Sequence, residues 1–227
     1  MKKIILSIII LSTFIFNVFA HVEHYSNFKY LEYELFRNNK PIGYHKYTFL
    51  RENDELHIKS EVKFTITKLG VDLYSYFASS DEKYKNNKFF SFSSKTNQNN
   101  KDKYVNILIN EENDNLIIDG SSYKGPASKE AIIGTWWNHE IVKTKKQISA
   151  ISGRIIEQTV IFKGKEKIKI GDKTYNTLHF NFKSSDETLP DSKKLNTDIW
   201  YEEKTYLWVK AAFDKNGYWE YRLKTYK

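Results

Sequence analysis

Between Leu56 and Ile66 the apolar residues Leu56, Ile58, Val62, Phe64 and Ile66 alternate with His57, Lys59, Glu61, Lys63 and Thr65. A repeat of two is the mark of a strand with one face in a core and one in water. The same alternation, less regular, marks strands over residues 28–37, 44–51, 71–85, 89–96, 104–110 and 116–119. Permissive residues separate them: residues 38–43, Asn53-Asp54, Gly70, Asn86-Asn87, the polar run 97–103 and residues 111–115. After residue 140 strands resume at Ile141 and Ile148, with Ser152-Gly153 as a turn. They continue over 154–162, 166–170 and 174–183, turned at 163–165 and 171–173, and a polar loop spans 184–196. One segment breaks the pattern. Ser128 is a good N-cap, and Ile132, Ile133, Trp136 and Trp137 follow three and four apart, which predicts a short helix over 128–137. The predicted class is all-β and mainly antiparallel, a meander forming a curved sheet or a half-open or closed β-barrel whose helix covers one opening.

The last thirty residues read as three antiparallel strands whose register follows from matching apolar neighbours across each turn. A three-residue loop at Lys215-Asn216-Gly217 sets Phe213 against Trp219, Ala211 against Tyr221 and Val209 against Leu223, with Gly217 at positive φ. The same reasoning at 203–205 pairs Tyr201 with Leu207 and Ile199 with Val209. It leaves Asp198, Trp200, Glu202, Trp208, Lys210, Glu220 and Arg222 on a second face, Trp200 beside Trp208 and Asp198 opposite Lys210. Trp136, Trp137, Trp200 and Trp208, flanked by Lys210 and Arg222, are therefore the candidate surface for an apolar or sugar-like ligand. A helix lying over the Trp200 and Trp208 pair as a secondary core is the competing explanation.

Ahead of the first strand stands Met1-Lys2-Lys3, an apolar run to Phe16, and Val18-Phe19-Ala20. This is the pattern of a secretory signal, residues 1–20, with cleavage after Ala20 leaving a single exported domain over 21–227, periplasmic in location. The run is too short for a comfortable membrane-spanning helix. An outer-membrane barrel is disfavoured by lysines on the polar faces, the mid-chain helix and the Tyr226-Lys227 end. The chain of 227 residues has no cysteine, so neither a lipid anchor on cysteine nor a disulfide is available. Its formal charge of +8, which includes Lys2 and Lys3, is dispersed. Such charge favours solubility and residence near anionic lipid headgroups or acidic glycans, and no nucleic acid is expected as a partner of an exported chain.

Three blocks carry a resemblance: residues 33–45, then Gly134-Thr135-Trp136-Trp137-Asn138, then 198–202 followed by Leu207-Trp208-Val209, Phe213, Gly217 and Tyr221-Arg222-Leu223. In their order and spacing they resemble a family of secreted bacterial proteins classed as domain of unknown function 6134, over nearly the whole chain after the leader. The resemblance implies a β-rich exported domain and brings no activity. Where the family has Trp-Tyr-Asp this chain has Glu202, which argues against a strict catalytic acid there.

Catalytic apparatus is sparse. No nucleophile elbow and no cysteine nucleophile is present, and none of the six histidines has metal-ligand spacing to another, so no cofactor or metal is expected. His21 and His24 could join a new amino terminus as a copper-type site, or simply belong to a disordered end. His45 lies within the first resemblance block, as a functional residue or as one satisfied by a neighbouring strand. Asp198 and Glu202, roughly 13 Å apart by strand rise, are too distant for a glycosidase pair and read as countercharges to Lys210 and Arg222. The leading reading is a non-catalytic domain binding a lipid or other apolar or amphipathic molecule. An envelope interaction module, or a hydrolase using His45 with Asp198 or Glu202, are the alternatives.

Overall fold

The computed structural model describes residues 25–110, 112 and 114–227, so the predicted signal and His21 and His24 lie outside the described residues. The first half is a meander of eight strands: β1 (Tyr30–Arg37), β2 (Lys40–Glu52), β3 (Glu55–Lys68), β4 (Val71–Lys85), β5 (Lys88–Gln98), β6 (Lys101–Asn110), β7 (Asn115–Gly120) and β8 (Lys124–Ser128). The second half holds β9 (Ile132–Ile133), β10 (Lys146–Ile148), β11 (Ile155–Ile170), β12 (Lys173–Ser184), β13 (Asn196–Glu202), β14 (Trp208–Asp214) and β15 (Tyr218–Tyr226). All belong to one sheet of fifteen strands in the order β8 to β1, then β15 to β9. Every pairing is antiparallel except the short β9–β10 contact.

This order dictates the shape. Its two outermost strands, β8 and β9, would stand roughly 65 Å apart in a flat sheet of fifteen strands. Yet residues 129–131 alone connect them, a reach of about 15 Å. The sheet must therefore curl until its edges meet. Those edges are packed together without pairing to each other, so the barrel is not closed by hydrogen bonds. Loop 149–153 bridges the seam: the Ser122 and Ser94 side of the sheet bonds to it through Ser122 N to Ser152 O (2.8 Å) and Ser94 Oγ to Ala150 O (2.6 Å). A second, smaller core fills the seam with Phe92, Val105, Ile107, Leu116, Ile118, Ile133 and Ile148. The main core lies inside the curl, around Tyr33, Tyr47, Trp137, Tyr201 and Trp208.

Local chemistry explains the turns. Asn38-Asn39, Asn86-Asn87 and Asn99-Asn100 all sit at φ between 49° and 64°, making three two-residue hairpins: the one at Asn86-Asn87 is as expected, and the other two are tighter than the turns predicted over 38–43 and 97–103. Positive φ at both positions matches the twist of the flanking strands, and asparagine tolerates it. The terminal hairpin has the expected three-residue loop, pairing Phe213 with Trp219 and Ala211 with Tyr221. Three expectations are corrected. The helix over 128–137 is absent: β8 runs to Ser128, β9 occupies Ile132–Ile133, and the nearby helical turn is a 3-10 segment, His139–Val142, capped by the Asn138 side chain where a strand was expected. Ile133 packs in the seam core while Ile132 meets the main core, so residues facing two cores imitate a helical stripe. Residues 154–162 and 166–170 are one strand, β11, and Lys163 marks a bulge between Phe162 and Gly164.

The third correction concerns β13 and β14. Ile199 pairs with Ala211, not Val209, Asp198 with Ala212, and Trp200 with Lys210, after which Tyr201 pairs with Trp208. A bulge there turns Trp208 into the core, and Trp200 remains on the outer face. The two tryptophans do not form a common surface.

Candidate functional site

The interior is crossed by the segment 134–138, which buried groups hold from several sides. The Tyr47 hydroxyl donates to Thr135 O, the Tyr201 hydroxyl donates to Trp136 O (2.8 Å), and Trp137 Nε1 donates to Glu82 Oε2 (2.9 Å). Trp136 sits at φ 61°, a strained conformation for a bulky residue, and thereby sends its ring opposite to that of Trp137. The Trp136 ring meets Trp208 (5.3 Å) and Tyr221 (5.4 Å). Trp137 meets Tyr25 (5.5 Å), Phe49 (5.8 Å) and Tyr84 (6.0 Å). The segment thus divides the interior into two ends.

Beyond Trp136 the strands leave a void. Cross-strand alignment sets His45, Val62, Ala78 and Thr96 in one inward row, and Tyr47, Ser60, Ser80 and Ser94 in the next. Three small serines where large residues would meet leave a cavity of about 160 Å³, floored by Trp136 and edged by His45 and Thr135. Tyr76, Ile151 and Tyr221 line this cavity and also the cleft that leads out of it. The cleft, about 550 Å³, runs between the β3–β4 and β14–β15 hairpins over Phe64, Phe213 and Trp219, and ends at the exposed Leu73, Lys215 and Asn216. Its walls are stacked aromatics, with Phe64 against Tyr76 at 4.8 Å and Phe213 against Trp219 at 5.9 Å.

His45 is 8% exposed, and neither of its ring nitrogens has a hydrogen-bond partner; Trp208 Nε1, 0% exposed in the same aromatic group, is likewise unpartnered. Burial pushes the His45 pKa down to about 3, so the ring is a neutral donor and acceptor at physiological pH. An unpaired buried polar group costs on the order of 1–3 kcal/mol, which a ligand with a polar atom would recover. At the opposite end Glu82, 3% exposed, accepts from Tyr84 (2.7 Å), Trp137 and Thr135, and burial raises its pKa against those hydrogen bonds. It borders a pocket of about 520 Å³ with Phe89, Leu116 and Ile133.

The predicted site residues thus separate. His45 and Trp136 share the cavity. Trp208 stacks on Tyr33 (3.9 Å) behind it, and Trp137 belongs to the other end. Trp200, Lys210 and Arg222 lie on the outer face. There Trp200 stacks on His179 (4.2 Å) and donates to Glu166, whereas Lys210 (2.6 Å) and Arg222 both pair with Glu220. Burial would raise the Glu220 pKa, but hydrogen bonds and charge from Lys210 and Arg222 hold it below the ordinary range. Glu220, not Asp198 or Glu202, is the countercharge. Asp198 pairs with His179 Nε2 (2.8 Å), while Glu202 caps its own turn through Thr205 N (2.7 Å). His45 is accordingly inside, Asp198 outside, and the pairing that a hydrolase would need is not made. Among the described residues no group of three or more His, Cys, Asp or Glu is arranged to hold a metal ion, and no helix is long and apolar enough to cross a membrane.

The model of a family described as Domain of unknown function (DUF6134) matches residues 33–224. Among solved structures, the fold is similar to the crystal structure of a β-barrel-like protein of Domain of Unknown Function DUF1849 from Brucella abortus. The TM-score is 0.59 at 9% identity, covering 87% of this chain and 96% of that one. No curated protein matches. At that identity the likeness speaks for the fold alone.

Proposed function

The chain belongs to the family of domain of unknown function 6134, a membership that prescribes no reaction, and we propose that it binds an elongated apolar or amphipathic molecule inside the curled sheet. The observation that carries this is a void of graded polarity: a wide aromatic cleft narrowing to a cavity where a neutral, unpartnered His45 waits beside small hydroxyls. Together the two spaces have the volume of ordinary ligand sites, and aromatic walls with few polar groups are what such sites use. The leader pattern of residues 1–20 supports an exported carrier or sensor of lipid-like molecules.

Titration with the uncharged dye N-phenyl-1-naphthylamine tests this reading. Dye fluorescence should rise to saturation at about one site, and Ala78→Trp, which fills the cavity row, should weaken binding at least tenfold while the fold is retained. Unchanged binding by Ala78→Trp, or no dye binding at all, would remove the proposal. A second reading, an envelope interaction module, draws on the β3–β4 hairpin tip, where Leu69 is 95% exposed beside Val71 and Leu73. Photo-crosslinking from position 69 should then capture a defined protein partner that Leu69→Ser together with Leu73→Ser loses.

A further inference from the structure

Strand alternation brings the turns at 38–39, 69–70, 99–100 and 215–217 to one end of the curl, with the 3-10 turn Asp191–Lys193 beside them. Four cations meet there. Arg37 donates to Asn216 O, Lys103 to Gln98 Oε1 (2.5 Å), Arg154 to Lys193 O (3.2 Å) and Lys215 to Ser192 O (2.7 Å). Every acceptor is neutral. Among the described residues no carboxylate lies within ion-pair distance of any of the four; Asp102 accepts from Asn97 and Asp191 from Lys194.

Several cations elsewhere on this basic chain are matched to carboxylates. Lys210 and Arg222 share Glu220, Lys224 pairs with Glu32 and Lys165 with Glu203. The cluster at the cleft is the contrast. Arg37, Gln98, Lys215 and Asn216 line the aromatic cleft itself. Arg37 Nε is buried without a partner, and its guanidinium lies 5.7 Å from the Trp219 ring centre. Partial burial lowers the Lys215 pKa, and the charges of Arg154 and Lys103 lower it further, as expected of like charges crowded together without a counterion.

We propose that the cleft selects an acidic amphiphile, whose carboxylate or phosphate head sits among Arg37, Lys103, Arg154 and Lys215 while its apolar chain runs inward over Tyr76 towards His45. The proposal rests on the cleft reading and adds the chemical class of the ligand. Guanidinium and ammonium donors compensate such a head by charge-assisted hydrogen bonds, which an alcohol or ester of the same chain length would forgo.

Displacement of N-phenyl-1-naphthylamine from the full chain by dodecyl phosphate, dodecanoate, dodecanol and inorganic phosphate distinguishes the possibilities. Both acids should displace the dye about tenfold more tightly than dodecanol, and 0.5 M salt should narrow that preference. Lys103→Gln combined with Lys215→Gln, and separately Arg37→Gln, should erase the preference, read in each variant as the ratio of acid to dodecanol displacement. Equal displacement by acid and alcohol overturns the acidic class and leaves the cleft reading standing. A dye that never binds overturns both. Phosphate alone competing as well as dodecyl phosphate overturns the amphiphile in favour of a free-anion site.

Discussion

The buried, unpartnered His45 carries a cost that pH can read. Its folded pKa is near 3 against an ordinary 6.5, so below pH 6.5 the unfolded chain takes up a proton that the native state refuses. Native stability should then fall by about 1.4 kcal/mol per pH unit for this one proton, until the pH approaches 3. Urea unfolding of wild type and His45→Phe between pH 7 and 4 measures it, and the variant should show the shallower decline. Glu82 was the residue that pattern could have found: alternation through Tyr74, Tyr76, Ala78, Ser80 and Tyr84 places it on the inner face, where Trp137 meets it. Trp208 could not be placed that way. Leu207, Trp208 and Val209 are all buried, so this stretch has no alternation from which a face can be read, and the bulge opposite Tyr201 decides it.

At the scale of elements, strands and turns were readable because their chemistry is local, and errors came where distant packing overrode it. The Asn-Asn turns depend on positive φ at both residues. Asn100→Gly should therefore be near neutral, and Asn100→Val should lower stability by about 1–2 kcal/mol in urea melts, because a β-branched residue resists that conformation. Gly43 answers to a neighbour instead. A Cβ there would fall 2.0 Å from Lys63 O and 2.6 Å from Phe64 Cα, so β2 and β3 could not keep their spacing. Gly43→Ala should cost about 3 kcal/mol or more, or prevent folding, read from expression and thermal unfolding. Sequence pattern placed Gly43 in a turn, and only the register of β2 on β3 shows that it marks a close approach of backbones. The missing helix has the same origin, since Gly134 packs 2.5 Å, at its would-be Cβ, from Gln147 Oε1 across the β9–β10 pair.

For the whole molecule, an all-β antiparallel curved sheet followed from alternation and turn spacing, and the openness of the barrel followed from nothing local. It results from a three-residue crossing between edge strands that pack over a seam. The interior void has the same character: Ser60, Ser80 and Ser94 are unremarkable one at a time and make a cavity only when three strands align them. The outer tryptophan surface expected from the terminal strands is absent because one bulge moves Trp208 across the sheet, and the aromatic cleft lies instead between the β3–β4 and β14–β15 hairpins. Native mass spectrometry after incubation with dodecyl phosphate tests that cleft most directly. One retained adduct is expected on the wild-type chain, and its loss in Ala78→Trp. An unliganded wild-type peak, or the same adduct on the filled variant, would contradict that expectation.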